Sequence, residues 1–320
     1  MTERMPSPEG VNAAAKRVAP HVTRTPLLPL EGAGGRVWIK AECLQQGGSF
    51  KLRGAYNRLL QLDEAGRARG VVAFSSGNHA QGVALAARSL GIRATIVMPA
   101  DAPAVKIEAT RAAGAEIVFH DRATQSREEI GARLAAEQGA TLVPSFDDVD
   151  IIEGQGSVGV EIAGQLGRAP DKVIVPCGGG GLSSGIALAL PESQILAVEP
   201  EGWDDMGRSI EAGEPVPVTE PAPPTRCDAL QTKLVSPLTV GALRSRGAYG
   251  LSVSEHDIAD AMRFAARHLR LVAEPGGAVA LAALLAGKAG EVTERTVVVL
   301  SGGNVDPLLY AQIIGAQAAR

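Results

Sequence analysis

Along most of this chain, short and continuously apolar runs alternate with longer stretches whose apolar residues recur every three or four positions. Segments 36–42 (RVWIKAE), 70–76 (GVVAFSS), 93–99 (RATIVMP), 115–120 (AEIVFH), 172–177 (KVIVPC), 194–200 (QILAVEP) and 295–304 (RTVVVLSGGN) are of the first kind. Their length and β-branched content predict strands, and their lack of alternation predicts burial on both faces. Segments 78–91, 126–139, 154–167 and 254–272 are of the second kind and predict helices. Gly91 and Gly139 follow two of them, as C-capping glycines do. Ser254 with Asp257 resembles a capping box, ahead of an apolar face made by Ile258, Ala261, Met262, Ala265, Leu269 and Val272. The proline-rich stretch 213–226 predicts a loop. Strand–helix alternation with such strands implies an α/β fold, with parallel sheets flanked by helices. No fixed-period repeat is present.

Composition narrows the partners more than the fold. The chain has 320 residues, enough for two lobes or one large α/β unit. Its net charge is −4 with both signs interspersed, so it lacks the basic stripe of a nucleic-acid binder. Aromatics are 3% of the residues, too few for base-stacking platforms. Cys43, Cys177 and Cys227 are isolated and in no metal-ligand or redox spacing, which suits a reduced, cytoplasmic protein. The N-terminus has no apolar signal-peptide region, and no uninterrupted apolar run reaches membrane-spanning length.

In parallel sheets, ligands bind at the carboxyl ends of strands. Four predicted strand exits are rich in Gly, Ser, Asn or acids: SSGNHAQ (75–81), PCGGGGLSSG (176–185), VEPEGWDD (198–205) and LSGGN (300–304). GGSFKLRG (47–54) joins them. The run Gly178–Gly181 ahead of a helix reads as a phosphate cradle, because glycine lets backbone N–H groups close on an anion; the alternative is a flexible turn. It fits neither the dinucleotide fingerprint nor a P-loop. SSGNH suits a carboxylate at a helix N-terminus, or simply caps the helix through Ser76 or Asn78. His79 reads as a structural histidine rather than a base. Glu199, Glu201, Asp204 and Asp205 form either a hard-cation loop or a solvated acidic one. Lys51, at a helix start, is by itself an ordinary solvated lysine; burial would lower its pKa and make its amine nucleophilic.

Taken in order, these motifs resemble the fold-type II pyridoxal-phosphate enzymes, within them the serine/threonine dehydratase and serine racemase family, over nearly the whole chain from RTPLLPL (24–30) to LSGGNVD (300–306). The resemblance implies a two-lobed fold of the tryptophan synthase β kind, with a large cofactor-binding domain (1–64 and 149–320) and a small inserted domain (65–148). It implies pyridoxal 5′-phosphate as cofactor, held by Lys51 through a Schiff base, with Phe50 near the ring, Asn78 on the ring 3′-oxygen, Gly178, Gly179, Gly180 and Gly181 on the phosphate and Ser301 on the pyridine nitrogen. Ser75, Ser76, Gly77 and His79 would receive the substrate, with Ser76 also matching the second acid/base of the racemase. Arg127 matches an arginine that reaches a second carboxylate in some relatives, or is a plain helix-surface arginine. Glu199, Trp203 (through its carbonyl) and Asp205 match a divalent-cation site for Mg²⁺, or Ca²⁺ or Mn²⁺. Glu274 in AEPGGA is a further candidate near the cofactor.

The family's threonine before the lysine-motif Gly-Ser is replaced by Gly47, and its Asp-Gly after the proline-rich loop becomes CDALQT (227–232). The activity implied is dehydration and deamination of a β-hydroxy amino acid, with threonine or serine ranked first, 3-hydroxyaspartate second and serine racemization third. A homodimer is implied, with no nucleic-acid or membrane partner. A non-catalytic phosphate-ligand or cofactor-binding protein is the alternative from another class.

Overall fold

The apolar runs assort into two sheets in a computed structural model, which describes residues 4–32, 35–75, 77–102 and 104–316. The strands are β1 (Leu27–Gly32), β2 (Gly35–Ala41), β3 (Val71–Phe74), β4 (Ala94–Pro99), β5 (Glu116–His120), β6 (Thr141–Leu142), β7 (Lys172–Pro176), β8 (Gln194–Pro200), β9 (Tyr249–Val253) and β10 (Thr296–Leu300). The larger sheet runs β1-β2-β10-β7-β8-β9 and the smaller β5-β4-β3-β6.

Both faces of the larger sheet are covered, which is why its strands show no alternation. Ile174, Leu196, Val198, Val298 and Leu300 face the helix Pro275–Leu285 in one core. Their neighbours Val173, Val175, Ile195, Ala197, Val297 and Val299 face Val158, Ile162, Leu182 and Ile186 of the helices Val149–Leu166 and Gly181–Ala189 in another. The period-two geometry of a strand sends adjacent side chains to opposite cores.

Three features depart from the pattern read in the sequence. Strand β1 pairs antiparallel with β2, the one antiparallel pairing among the described strands. Pro29 obscured it, yet an edge strand tolerates proline. Strand β9, at the other edge, is half-buried and carries no apolar run. The segment 254–272 is not one helix. Its capping box forms as predicted, the α-helix Glu255–Phe264 passes into a π-turn at Ala265–Leu269, and Arg270 breaks it at φ 60°. Val272 lies beyond that break and is exposed.

The helix Lys51–Leu60 is wedged between the two halves. Leu52, Ala55, Tyr56 and Leu59, at helical spacing, enter the core of the smaller sheet with Val83, Ala84, Ile96 and Met98. Its opposite face meets the helix Val149–Leu166: the Gly54 N–H donates to Gln155 Oε1 at 3.2 Å, and Asn57 Nδ2 to the Asp150 carbonyl at 2.6 Å. Arg53, fully buried, fixes its first turn. Its Nε donates to Glu42 Oε2 (2.8 Å), Nη1 to Glu161 Oε1 (2.7 Å) and Ser157 Oγ (3.3 Å), and Nη2 to Glu42 Oε1 (2.8 Å) and Glu161 Oε2 (3.0 Å). Lys40, equally buried, donates to Glu161 Oε2 at 2.6 Å, the Thr25 carbonyl at 2.9 Å and Gln165 Oε1 at 3.0 Å. Burial alone would push the Glu42 carboxyl up; the Arg53 guanidinium outweighs it and holds the group below its usual range.

Removing one member of such a network strands its partners in low dielectric. Arg53→Ala is expected to lower the unfolding free energy by about 3–5 kcal/mol in urea titrations. Arg36→Ala, which breaks only an exposed pair with Glu31, should cost less than about 1 kcal/mol. Comparable small losses from both would mean that the buried network does not anchor this helix.

Candidate active site

The exits of β3, β7 and β10 converge on one cleft with the start of the helix Lys51–Leu60. Lys51 lines it, half-buried, with Nζ donating to the Ser145 carbonyl at 2.8 Å and lying 5.2 Å from the centre of the Phe50 ring. Burial pushes its amine down to about 8, because the charged form loses hydration with no carboxylate bonded to it. The loop that carries it is stitched to the exit of β10. Phe50 N–H donates to the Ser301 carbonyl (3.2 Å), Gly303 N–H to the Gly48 carbonyl (2.9 Å), and Ser49 bridges Gly302. Ser301 itself is buried and lines the same cleft.

Gly178–Gly181 form the facing wall and lead into the helix Gly181–Ala189. Gly180 is the N-cap at φ 85°, a conformation that favours glycine. A Cβ on Gly179 would run into the ring of Phe146, and one on Gly178 would lie 3.2 Å from the backbone of Leu230. The wall is therefore bare backbone at a helix N-terminus, which suits an anionic phosphate. An amine of lowered pKa in the same cleft suits an aldehyde. The residues present thus fit pyridoxal phosphate.

Asn78 opens the helix Asn78–Ser89 and points into the cleft. Its Nδ2 donates to Glu274 Oε1 at 2.5 Å, and its Oδ1 accepts from Asn304 Nδ2 at 2.8 Å. Glu274 is buried in the cleft wall, and burial pushes its carboxyl up to about 7. Ser75 and Gly77 sit at the exit of β3, where Ser75 Oγ accepts from the Gly77 N–H at 3.1 Å. Ser76 lies outside the described residues. The His79 ring is buried with a nitrogen 2.8 Å from the Val143 carbonyl; burial and nearby Lys51 push it down to about 3, so it is neutral. It is not part of the cleft lining.

Arg127, which the sequence left open between a substrate contact and a helix-surface arginine, lies on the surface side of that choice. It begins the helix Arg127–Gln138, pairs with its neighbour Glu128 and lies over Phe74, 5.8 Å from the ring centre, outside the cleft lining. Spacing locates a helix N-terminus but not which way its first side chain turns. Phe146 also lines the cleft and was not foreseen, whereas Ala229, Leu230 and Gly276 line it from the CDALQT and AEPGGA segments that the resemblance pointed to. Ala229 and Leu230 belong to a short 3₁₀ turn, Asp228–Leu230, in the CDALQT segment. Phe146 lies between β6 and the helix Val149–Leu166, where no periodicity marks it.

The acidic loop after β8 is not a solvated one. Glu199 is buried and accepts from the Met206 and Gly207 N–H groups, each at 2.9 Å. Asp205 is fully buried, and neither carboxylate oxygen has a hydrogen-bond partner. Burial pushes Glu199 well up and Asp205 up to about 7. The Trp203 indole is engaged elsewhere, donating to the Pro223 carbonyl at 2.9 Å. Among the described residues, no group of three or more His, Cys, Asp or Glu side chains is arranged to hold a metal. Two buried carboxylates, one without partners, are nonetheless chemistry that a hard cation would neutralise.

The family model described as "Pyridoxal-phosphate dependent enzyme" matches residues 18–303. The L-threo-3-hydroxyaspartate ammonia-lyase of Pseudomonas sp. is 44% identical over 309 residues, 94% of this chain and 96% of that protein. The solved maize serine racemase superposes with a TM-score of 0.90 at 37% identity, covering 97% of each chain. The solved T.th. threonine deaminase superposes at 0.86 with 43% identity, covering 94% of this chain and 99% of its own.

A lowered lysine pKa has a direct signature, because only the free amine is nucleophilic. In cofactor-free protein, labelling with an amine-selective acylating reagent, read by peptide mass analysis, should reach half its maximal rate at Lys51 near pH 8. Solvated lysines should require about pH 10.4. A Lys51 profile that coincides with theirs would remove the electrostatic argument for its reactivity.

Proposed function

Because the chain belongs to the family of pyridoxal-phosphate dependent enzymes, we propose that it is an ammonia-lyase that dehydrates and deaminates a β-hydroxy amino acid to a 2-oxo acid. The observation that carries this reading is the meeting, in one cleft, of the low-pKa Lys51 amine, the bare Gly178–Gly181 wall, Asn78 and Ser301.

When bound, pyridoxal phosphate supplies an electron sink for charge developing at the substrate Cα. Lys51 would hold the cofactor through its low-pKa amine, and the same amine is the base placed to take the substrate Cα proton. Gly178–Gly181 and the helix N-terminus behind them bind the phosphate. Asn78 would orient the ring edge, and Phe50 beside Lys51 and Phe146 against the glycine wall would exclude water there. Ser301, a neutral hydroxyl in the cleft lining, would hydrogen-bond the ring nitrogen without forcing a proton onto it, which would favour elimination over transamination. Ser75, Ser76 and Gly77, with the backbone donors of their helix N-terminus, receive the substrate carboxylate; Ser76 is the acid/base of the opposite face.

Threonine or serine is the substrate class of this reading. A second reading, 3-hydroxyaspartate, is favoured by the 44% identity to a 3-hydroxyaspartate ammonia-lyase. A divalent cation held by Glu199, Asp205 and the Trp203 carbonyl, and assembly as a cytoplasmic homodimer, complete the proposal.

Purified protein with pyridoxal phosphate and Mg²⁺, given L-serine, L-threonine or L-threo-3-hydroxyaspartate, should release 2-oxo acid from at least one of them. Lys51→Ala should lose both the visible cofactor band and turnover, the latter by more than about 10³-fold. A fully active Lys51→Ala variant would end this mechanism, and a band with no oxo acid from any of the three would point to racemization instead. Mg²⁺ or Mn²⁺ should raise the melting temperature of the wild type and leave that of Asp205→Ala unchanged; equal shifts would exclude the cation site.

A further inference from the structure

The Asn304 side chain is the meeting point of three walls of the cleft. Its Nδ2 donates to the Gly47 carbonyl at 2.7 Å, on the lysine loop, and to Asn78 Oδ1 at 2.8 Å, with Gln81 Oε1 a longer third acceptor at 3.2 Å. An amide nitrogen has two hydrogens, so the two shorter bonds claim both. Its Oδ1 sits where a side chain on Gly48 would begin, which leaves room only for glycine there. Asn304 thus ties the exit of β10 to the lysine loop and to the N-terminus of the helix Asn78–Ser89.

The consequence falls on Asn78. An asparagine amide can turn over, exchanging its oxygen for its nitrogen at nearly the same shape. Here both ends are decided. Oδ1 is taken by a donor that cannot accept, and one Nδ2 hydrogen goes to Glu274, a carboxyl held in place by its own N–H to the Gly302 carbonyl at 3.0 Å. The second Nδ2 hydrogen is the side chain's one unclaimed donor, and Asn78 lines the cleft. Turning the amide over would set the Asn304 N–H against an N–H, and an ionised Glu274 against an oxygen.

We propose that Asn304 is a positioning residue that fixes Asn78 as a hydrogen-bond donor toward the cleft, so that the ligand atom met there must be an acceptor. This rests on the cofactor-binding reading above only for the identity of the probe. The aliphatic and aromatic neighbours of Lys51 cannot supply this polarity; Asn304 and Glu274 set it from behind.

The test uses the full chain stripped of cofactor and titrated with pyridoxal phosphate, read by the visible band and by protein fluorescence. Asn304→Asp keeps the shape but replaces both donated hydrogens with an acceptor. It should weaken pyridoxal phosphate binding by about tenfold or more, a loss of the size expected for opposed buried acceptors, and shift the absorbance maximum. Gln81→Leu, which removes only the longest contact, should change binding less than about twofold. A double-mutant cycle separates positioning from packing. In an Asn78→Ala background, Asn304→Ala should lose most of its effect on binding; Asn304→Ser replaces it in the cycle if the alanine variant does not fold. Additive losses, an unshifted spectrum in Asn304→Asp, or undiminished binding by that variant would each overturn the proposal. Failure of Lys51→Ala to abolish the band would instead count against the cofactor reading, leaving the Asn304–Asn78 coupling to be judged on fluorescence alone.

Discussion

The full satisfaction of Arg53 is the constraint on which the rest of this molecule depends. Each of its guanidinium nitrogens is engaged, by Glu42, Glu161 and Ser157, in a site that excludes water. Glu42 follows β2, Glu161 lies on the long helix Val149–Leu166, and Arg53 is two residues beyond Lys51. A buried charge tolerates little displacement, because any lost bond exposes it to the full cost of desolvation. The network therefore fixes the first turn of the lysine helix against the larger sheet, while the apolar side of that helix is committed to the smaller one.

Given that anchor, the cleft assembles from turns rather than from regular elements. Bare glycine backbone forms the Gly178–Gly181 wall, and the rings of Phe50 and Phe146 fill the space beside Lys51 and Gly179. Lys51 is left with a carbonyl as its hydrogen-bond partner, so burial lowers its pKa where a carboxylate would have raised it. The same environment raises Glu274. Acid and amine are drawn toward neutrality from opposite sides, a condition that suits proton transfer near neutral pH. Asp228, beside the cleft-lining Ala229 and Leu230, pairs with Lys106 of the helix Ala104–Ala112, so an ion pair also joins the two sheet units near the cleft.

The acidic loop shows the same physics without the paired cation. Glu199 spends its oxygens on the N–H groups that open the helix Asp205–Ala212, while the Asp205 carboxylate oxygens have no hydrogen-bond partner. A surface carboxylate would need none; a fully buried one does, and that difference separates this loop from an ordinary acidic turn.

Much of this was legible in the chain itself. Continuous apolar strands required sheets covered on both sides, and a parallel sheet puts its strand exits at one end, so the Gly, Ser and Asn clusters at 176–185 and 300–304 share one end of the larger sheet, while the cluster at 75–81, on the smaller sheet, reaches Lys51 only through the packing of the two sheets. What the chain could not declare was set by packing between segments far apart in sequence. Phe146 against Gly179, the CDALQT turn against Gly178, and Asn304 against Asn78 are contacts between irregular segments with no period to betray them. Arg127 stayed open between two readings for the related reason that position along a helix does not give direction in space. Sequence alone determined which residues could do chemistry, since residue type and strand-exit position are local properties. Tertiary structure decided which of them face one another and in what protonation state, since burial and hydrogen-bond direction exist only once the chain has closed on itself.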